Sequence, residues 1–172
     1  MSLYESTVPQ FKKMLANLDH WLEAAIAHAE KKSFDPNVLA SARLVPDQYP
    51  LTRQVQSACD QAKLGMARLL GKEAPKHADT EQTIGELRAR IHTCTEFLDT
   101  LKPAEFAGNE ERLVTLPFLE GKTILGSDYI TEFVFPNFYF HITTAYSILR
   151  HNGVPLGKLD FIGSLKLRNP AK

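Results

Sequence analysis

The stretch FVFPNFYFHITTAYSILRHNG, residues Phe133–Gly153, decides the fold, because its residues are apolar nearly all the way round a helix. A helix of that kind is covered by other parts of the protein on most of its sides. Gly153 follows the last apolar turn and is a favourable helix end. We therefore predict a buried helix over residues 128–151. Pro136 lies inside it and removes one hydrogen bond, which predicts a bend nearby.

One face of this helix carries polar side chains in the middle of an apolar seam. The seam alternates spacings of four and three residues: Ile130, Val134, Asn137, His141, Thr144 and Ile148. A polar group buried without a partner costs about 1–3 kcal/mol. If the seam faces the core, its polar members need each other, a facing helix, water or a metal ion. Asn137 and His141 are therefore the centre of the candidate site.

Three further segments show the spacing of amphipathic helices. They cover residues 6–32, residues 50–71, and a stretch that starts after Asp79 or Thr80 and ends before Pro103. Between the third and fourth helices, residues 112–116 and 122–125 can pair as a small β-hairpin. Four such helices bury their apolar seams against one another, which predicts an all-α, antiparallel four-helix bundle. We expect a single domain over residues 1–172.

The second helix leaves one question open. The middle of its seam is small, at Ala58, Ala62 and Gly65, so that a neighbouring helix can come close or a pocket can form there. On another stripe lie Arg53, Gln56 and Asp60, which we predict to form a solvated face. His77, in the polar connector that follows, is also predicted to be solvated.

Composition excludes several functional classes. Twenty basic and twenty acidic residues leave no net charge, and no basic run occurs, which argues against nucleic-acid binding. The chain contains no apolar run of about 18 residues and no signal-like N-terminus, so we expect no membrane span and no secretion. Cys59 and Cys94 are isolated in sequence, and we interpret them as reduced core thiols of a cytoplasmic protein.

Two stretches, ARLVPDQYPLTRQVQSACDQAK and FPNFYFHITTAYSILRHNGVPLGKLDFIG, resemble the DinB/YfiT-like bundle superfamily, and most of all a bacterial branch that carries a domain of unknown function. The last helix of that superfamily reads His-x-x-x-His-Arg-Gly-Gln and closes on Leu-Arg-x-x-Gly-x-Pro. Residues 149–155 are similar to that close. The resemblance implies an up-down-down-up bundle, often a homodimer. Many members bind a divalent metal through three histidines, one on helix two and two on helix four, and some activate a low-molecular-weight thiol.

The chain departs from this metal motif at most of its positions. Counted back from the close, His141 falls on the second histidine of helix four and Asn137 falls on the first. Helix two has no histidine, and Gln54 is the polar residue that lies nearest to the position of the missing one. Amide oxygens bind zinc much more weakly than imidazole or thiolate does. The resemblance therefore implies a degraded or repurposed metal site, in which His141 alone remains as a ligand for Zn or Ni.

Three interpretations of the site stay open. The polar residues can form a hydrogen-bonded patch inside the bundle, a metal site, or a pocket for a small molecule in which His141 acts as a base or an acid. The candidate ligand-binding residues are His141, Asn137, Gln54, Tyr146 and Thr144.

Three functions follow from these interpretations. The first is a metal-free binding protein, the second a metal-dependent thiol transferase or hydrolase, and the third a structural homodimer. Whether the protein is an enzyme stays open at this point.

Overall fold

The computed structural model describes residues 2–169 and contains four long helices. Their bounds are α1 Leu3–Lys32, α2 Leu51–Leu70, α3 Ile84–Thr100 and α4 Phe135–His151, followed by a short α5 at Lys158–Ile162. Short 3₁₀ turns lie at Pro36–Ser41, Pro103–Phe106 and Pro117–Leu119. The predicted all-α bundle is confirmed, and most of the chain is helical.

The four helices run up, down, down and up, as the resemblance implied. Because α2 and α3 point the same way, the chain must return along them between the two helices, and residues 71–83 do this. The crossover is therefore in this connector and not in the longer connections after α1 and α3. Two contacts fix the relative direction of each pair of neighbouring helices. Helices α1 and α4 are parallel (Phe11–Phe138 and Trp21–Tyr146), as are α2 and α3 (Asp60–Arg90 and Lys72–Glu105). Helices α2 and α4 are antiparallel (Gln54–His141 and Gly65–Val134), as are α1 and α3 (Asp19–Arg88 and Lys12–Asp99).

Two helices begin at capping boxes that differ from the predicted starts. Ser2 caps α1, and its hydroxyl accepts from the amide of Glu5, so the helix starts earlier than Ser6. Thr83 caps α3 in the same way with Glu86, so residues 79–82 are not helical. In both cases the reciprocal bond of the glutamate satisfies a second amide, which stabilises this start over a lone cap.

The predicted irregularity at Pro136 takes the form of a π-helical segment, Tyr129–Val134, directly before α4. In this segment the amide of Phe135 bonds to the carbonyl of Ile130, five residues back. Proline offers no amide hydrogen and clashes with the carbonyl four residues earlier. The wider π turn accommodates both effects, and the helical path continues from residue 126 to residue 151.

The predicted hairpin is present between α3 and α4. Strands β1, Leu113–Thr115, and β2, Thr123–Leu125, pair antiparallel with Val114 opposite Ile124. Gly126 follows β2 at a close approach of backbone, since a Cβ built there would lie 1.9 Å from the carbonyl oxygen of Asn109. The chain between the hairpin and the π-helical segment therefore passes through a position, Gly126, that admits only glycine.

The small seam of α2 brings a neighbouring helix close. A Cβ built on Gly65 would lie 2.8 Å from Cγ1 of Val134. The small residues thus serve contact between α2 and the start of the last helix, and the alternative of a pocket at this level is wrong. Within residues 2–169, no helix combines the length and the apolar character needed to cross a membrane.

Candidate functional site

A hydrogen bond between two buried side chains joins α2 to α4. The Nδ1 atom of His141 lies 2.8 Å from Oε1 of Gln54. Gln54 is fully buried, and His141 is 8% exposed. The histidine therefore faces inward across the contact between the second and last helices. Its partner Gln54 is the residue that stands in for the helix-two histidine of the metal motif.

The orientation of the Gln54 amide follows from its second contact. Its Nε2 atom donates to the backbone carbonyl of Tyr49 at 3.1 Å. Since a carbonyl can only accept, the amide nitrogen must face Tyr49 and the amide oxygen must face His141. The oxygen can only accept as well, so Nδ1 of His141 carries the proton. The imidazole is held as the Nδ1–H tautomer, and its Nε2 atom keeps a lone pair.

The Tyr49 carbonyl is placed by the loop that leads into α2. The amide of Leu51 donates to the carbonyl of Ala42 at 2.9 Å, and the hydroxyl of Thr52 donates to the carbonyl of Ala40 at 3.0 Å. Pro50 occupies the N-cap position and keeps the preceding residue extended. Both bonds tie residues 42–50 to the helix start, so the carbonyl that orients Gln54 lies on a fixed segment.

The surroundings of His141 keep its imidazole neutral. Burial lowers the pKa of His141 below its ordinary value, and the positive charge of Arg53 lowers it further. Arg53 lies one position before Gln54, donates to Asp79 at 2.7 Å and sits over the ring of Tyr49 at 5.8 Å. A neutral ring with one lone pair is a hydrogen-bond acceptor and a potential base.

The other predicted site residues, Asn137, Thr144 and Tyr146, differ in their position relative to the Gln54–His141 pair. Asn137 is half-buried one helical turn before His141. Thr144 is buried one turn after it, but its hydroxyl donates to the carbonyl of Phe140 at 2.7 Å. Tyr146 lies about 140° around the helix from His141. Its ring packs edge-on against Trp21 at 5.3 Å. The structure thus joins Gln54 to His141, leaves Asn137 and Thr144 one helical turn to either side of His141, and places Tyr146 elsewhere.

The residues at this position do not fit a divalent cation. A zinc or nickel ion would find one imidazole and two amides, and the oxygen of Gln54 already accepts a hydrogen bond from Nδ1–H of His141. No group of three or more His, Cys, Asp or Glu side chains with a suitable arrangement occurs among the described residues. The donor set is that of a hydrogen-bonding site.

A second buried polar cluster lies on the other side of α2, and the sequence did not reveal it. Arg90 of α3 is buried and bonds to Asp60, Asp79 and Glu81 at 2.6–2.9 Å. Burial alone would lower the pKa of this guanidinium, but hydrogen bonds to Glu81 and Asp79 and the charge of Asp60 raise it. The connector 71–83 is therefore fixed along α2 and α3 by charge pairs.

Lys63 holds the same connector from α2. Its buried ammonium group donates to the carbonyl of Pro75 at 2.9 Å, to Asp60 at 3.1 Å and to Nδ1 of His77. An ammonium group can only donate, so Nδ1 of His77 accepts and this ring is neutral. Burial lowers the pKa of His77, and the charges of Lys63 and Arg90 lower it further. A cleft of about 460 Å³ opens beside this lysine.

Two predictions fail at this cluster. The stripe of Arg53, Gln56 and Asp60 is not a solvated face, because Gln56 is 3% exposed and bonds to Glu81 at 2.8 Å. His77 is held by Lys63 and is not simply solvated. A signal existed in the acidic residues of the connector, Asp79 and Glu81, but only the path of the chain shows that they meet Arg90.

Comparisons with known proteins agree with this architecture. A family model described as a domain of unknown function, DUF1993, matches residues 3–162. The crystal structure of a DinB family member protein from Shewanella denitrificans is similar over 98% of this chain and 96% of that chain, with 48% sequence identity and a TM-score of 0.94. No curated protein matches the chain.

Proposed function

The chain belongs to the DUF1993 family of DinB-like helical bundles, and we propose that it binds a small organic ligand, without a metal ion, at the Nε2 atom of His141. One observation carries this proposal: Gln54 bonds to both Tyr49 and His141 and thereby fixes the tautomer of the ring. This arrangement leaves Nε2, and not Nδ1, as the nitrogen of the neutral ring that can accept a hydrogen bond from a ligand.

The groups around His141 favour a ligand with a hydrogen-bond donor on an apolar body. Nε2 accepts a hydrogen bond or a proton from a hydroxyl or amine, because the ring is neutral. Phe140, next to His141 with ring centroids 5.3 Å apart, and Tyr49 are each 55% exposed and offer aromatic surface. Asn137 adds a half-buried amide one turn away. A phenol is a simple molecule with these properties.

The test is a titration of the protein with 4-methylphenol, followed by the ¹⁵N resonance of Nε2 of His141. We expect a saturable shift of this resonance in the wild-type protein. A shift that rises linearly to the solubility limit of the probe, or no shift with either 4-methylphenol or phenethylamine, would contradict the proposal. Phenethylamine serves as the second probe because it carries an amine on the same ring.

Two variants of His141 separate binding from folding. In His141→Asn the side-chain nitrogen can take the place of Nδ1 and bond to Gln54, while the atom equivalent to Nε2 is missing. In His141→Gln the distal nitrogen remains and the bond to Gln54 is lost. We expect His141→Asn to keep most of the free energy of unfolding. Because this variant has no Nε2, binding is followed by the backbone amide resonance of a neighbouring residue, and we expect the probe to shift this resonance in the wild type but not in His141→Asn. Equal binding by wild type and His141→Asn would refute the role of Nε2.

The metal-dependent thiol transferase or hydrolase is the alternative that the donor set disfavours. Metal analysis of protein purified without a histidine tag tests it. We expect less than about a tenth of an equivalent of Zn, Ni or Mn, because an imidazole and two amides are weak ligands. A full equivalent that is lost in His141→Asn would support a metal enzyme instead.

A homodimer remains a separate proposal. The aromatic residues of the last helix are the first to consider for a contact between protomers, but Phe138 is buried and Phe135 and Tyr139 pack against the core of the same chain. Phe140 is the large exposed aromatic of α4 among the described residues and is the one candidate there for a contact between protomers. Light scattering at micromolar concentration tests this, and a dimer that Phe140→Ser dissociates would support it.

A further inference from the structure

Residues 73–78 of the connector are held to the bundle by one buried side chain. Lys63 of α2 donates to the carbonyl of Pro75 at 2.9 Å and to Nδ1 of His77. Within residues 2–169, no other hydrogen bond or ion pair joins residues 73–78 to the rest of the chain. The position of this segment, which we call the latch, therefore depends on Lys63.

Both ends of the latch are fixed by other contacts. On one side, the amide of Lys72 donates to the carbonyl of Ala67 at 2.8 Å and closes the end of α2. On the other side, Asp79 accepts from Arg53 at 2.7 Å and from Arg90 at 2.6 Å. The latch can therefore leave the bundle while the connector stays attached at residues 72 and 79.

We propose that the latch is an acid-sensitive switch, in which protonation of His77 breaks its bond to Lys63 and releases residues 73–78 from the bundle. An ammonium group can only donate, so it needs the lone pair of Nδ1, and a protonated imidazole has no lone pair. Protonation therefore removes an acceptor from Lys63 and places two positive charges in contact. Lys63 is 2% exposed and cannot turn toward water to escape this repulsion, whereas His77 is half-buried at the surface and can.

The charged groups around His77 favour its neutral form while the latch is closed. Burial lowers the pKa of His77, and the positive charges of Lys63 and Arg90 lower it further. The carboxylates of Asp60 and Glu81 act in the opposite direction but do not reverse the shift. The closed latch therefore holds a neutral ring at pH 7. The other charged residues that line the cleft beside His77 belong to the connector: Glu73, Lys76 and Asp79.

The pH range of the switch follows from the two states of His77. In the released latch the ring has the ordinary histidine pKa of about 6.5, and in the closed latch its pKa is lower. The closed state therefore binds fewer protons, and its advantage is lost as the pH falls below about 6.5. Between the two pKa values, the ratio of open to closed latch rises about tenfold for each pH unit.

The anchor at the far end of the latch keeps its charge in this range. Burial alone would raise the pKa values of Asp79 and Glu81, but hydrogen bonds to their arginine partners lower both. Both carboxylates therefore stay ionised while His77 takes up its proton. Release is confined to the latch, and it opens the cleft of about 460 Å³ at Lys63.

Limited proteolysis of the native full-length protein with a glutamate-specific protease tests the switch. Glu73 lies in the latch, and Glu120, which is exposed between the two strands of the hairpin, gives a reference cleavage in the same sample. We expect the ratio of cleavage after Glu73 to cleavage after Glu120 to rise about tenfold from about pH 7.5 to about pH 5.5. An unchanged ratio would overturn the proposal, including the case in which both cleavages rise together because the whole bundle unfolds.

Three variants assign the effect to the contact between His77 and Lys63. In His77→Asn the amide oxygen can accept from Lys63 but does not titrate, so cleavage after Glu73 should stay low at both pH values. In Lys63→Met nothing holds the latch, so this cleavage should be high at both. His92→Asn is the matched control, because His92 is exposed on α3, and it should behave as the wild type does. The same rise in His77→Asn as in the wild type would overturn the proposal, and this pair decides it if circular dichroism shows Lys63→Met to be unfolded.

Discussion

Replacement of Gln54 by leucine tests the site through stability. Gln54→Leu keeps the size of the side chain and removes both of its hydrogen bonds, to Tyr49 and to His141. Because His141 is only 8% exposed, its Nδ1–H then has no protein partner at that position. The carbonyl of Tyr49 belongs to a residue that is 55% exposed, so water can replace the lost donor there.

The expected cost follows from these two environments. An unsatisfied buried donor costs about 1–3 kcal/mol, and a lost bond that water replaces costs close to nothing. Leucine contributes some apolar burial in return, so we expect Gln54→Leu to lower the free energy of unfolding by about 2 kcal/mol. For a domain of this size, that corresponds to a fall in melting temperature of about 4–8 °C.

Urea denaturation provides the assay, with the midpoint shifted and the slope unchanged. Gln61→Leu is the matched control on the same helix, because the Oε1 atom of Gln61 is buried without a hydrogen-bond partner within residues 2–169. Removal of an unsatisfied group is neutral or stabilising. In a double-mutant cycle with His141→Phe, the two sites should couple by about 1–2 kcal/mol. Equal stability of Gln54→Leu and wild type, or strict additivity, would refute the reasoning.

Three further predictions concern the rest of the bundle. Arg90→Met leaves Asp60, Asp79 and Glu81 without their common partner and should cost about 3–5 kcal/mol in urea denaturation; a loss below about 1 kcal/mol would mean that the network is solvated. Gly65→Ala should destabilise by about 1–3 kcal/mol through its contact with Val134, whereas Gly85→Ala, whose nearest neighbour lies at 3.9 Å, should stabilise by about 0.5–1 kcal/mol. Both His77 and His141 have lowered pKa values, so the unfolded chain binds more protons than the folded protein below about pH 6.5, and stability should fall as the pH drops below that value. In the variant His77→Asn this slope should be shallower, and an unchanged slope in urea midpoints measured across that range would contradict the assignment of His77.

The four helices could be predicted because each segment repeats its own apolar spacing, whereas their up-down-down-up order came from the family resemblance. Local signals also predicted the hairpin and the disturbance at Pro136. The exact starts of α1 and α3 were missed, since Ser2 and Thr83 compete with other capping residues nearby and only the reciprocal glutamates, Glu5 and Glu86, decide between them. The single-domain assignment over the whole chain, the cytoplasmic location and the homodimer remain predictions.

The site could be predicted only in part, for a physical reason. The polar members of an apolar seam indicated His141 and Asn137, and the position in helix two indicated Gln54. The orientation of Gln54 depends on the carbonyl of Tyr49, and a backbone carbonyl has no signature in the sequence. The Arg90 cluster depends on the path of the connector 71–83 and on which helices lie side by side, so it became visible only in three dimensions.

The most direct test of the central claim is the protonation state of each nitrogen of His141, measured by long-range ¹H–¹⁵N correlation near neutral pH. We predict a proton on Nδ1 and a bare Nε2, because the Tyr49 carbonyl turns the oxygen of Gln54 toward the ring. A proton on Nε2 with a bare Nδ1, or a doubly protonated ring, would show that Gln54 does not hold His141 as an acceptor.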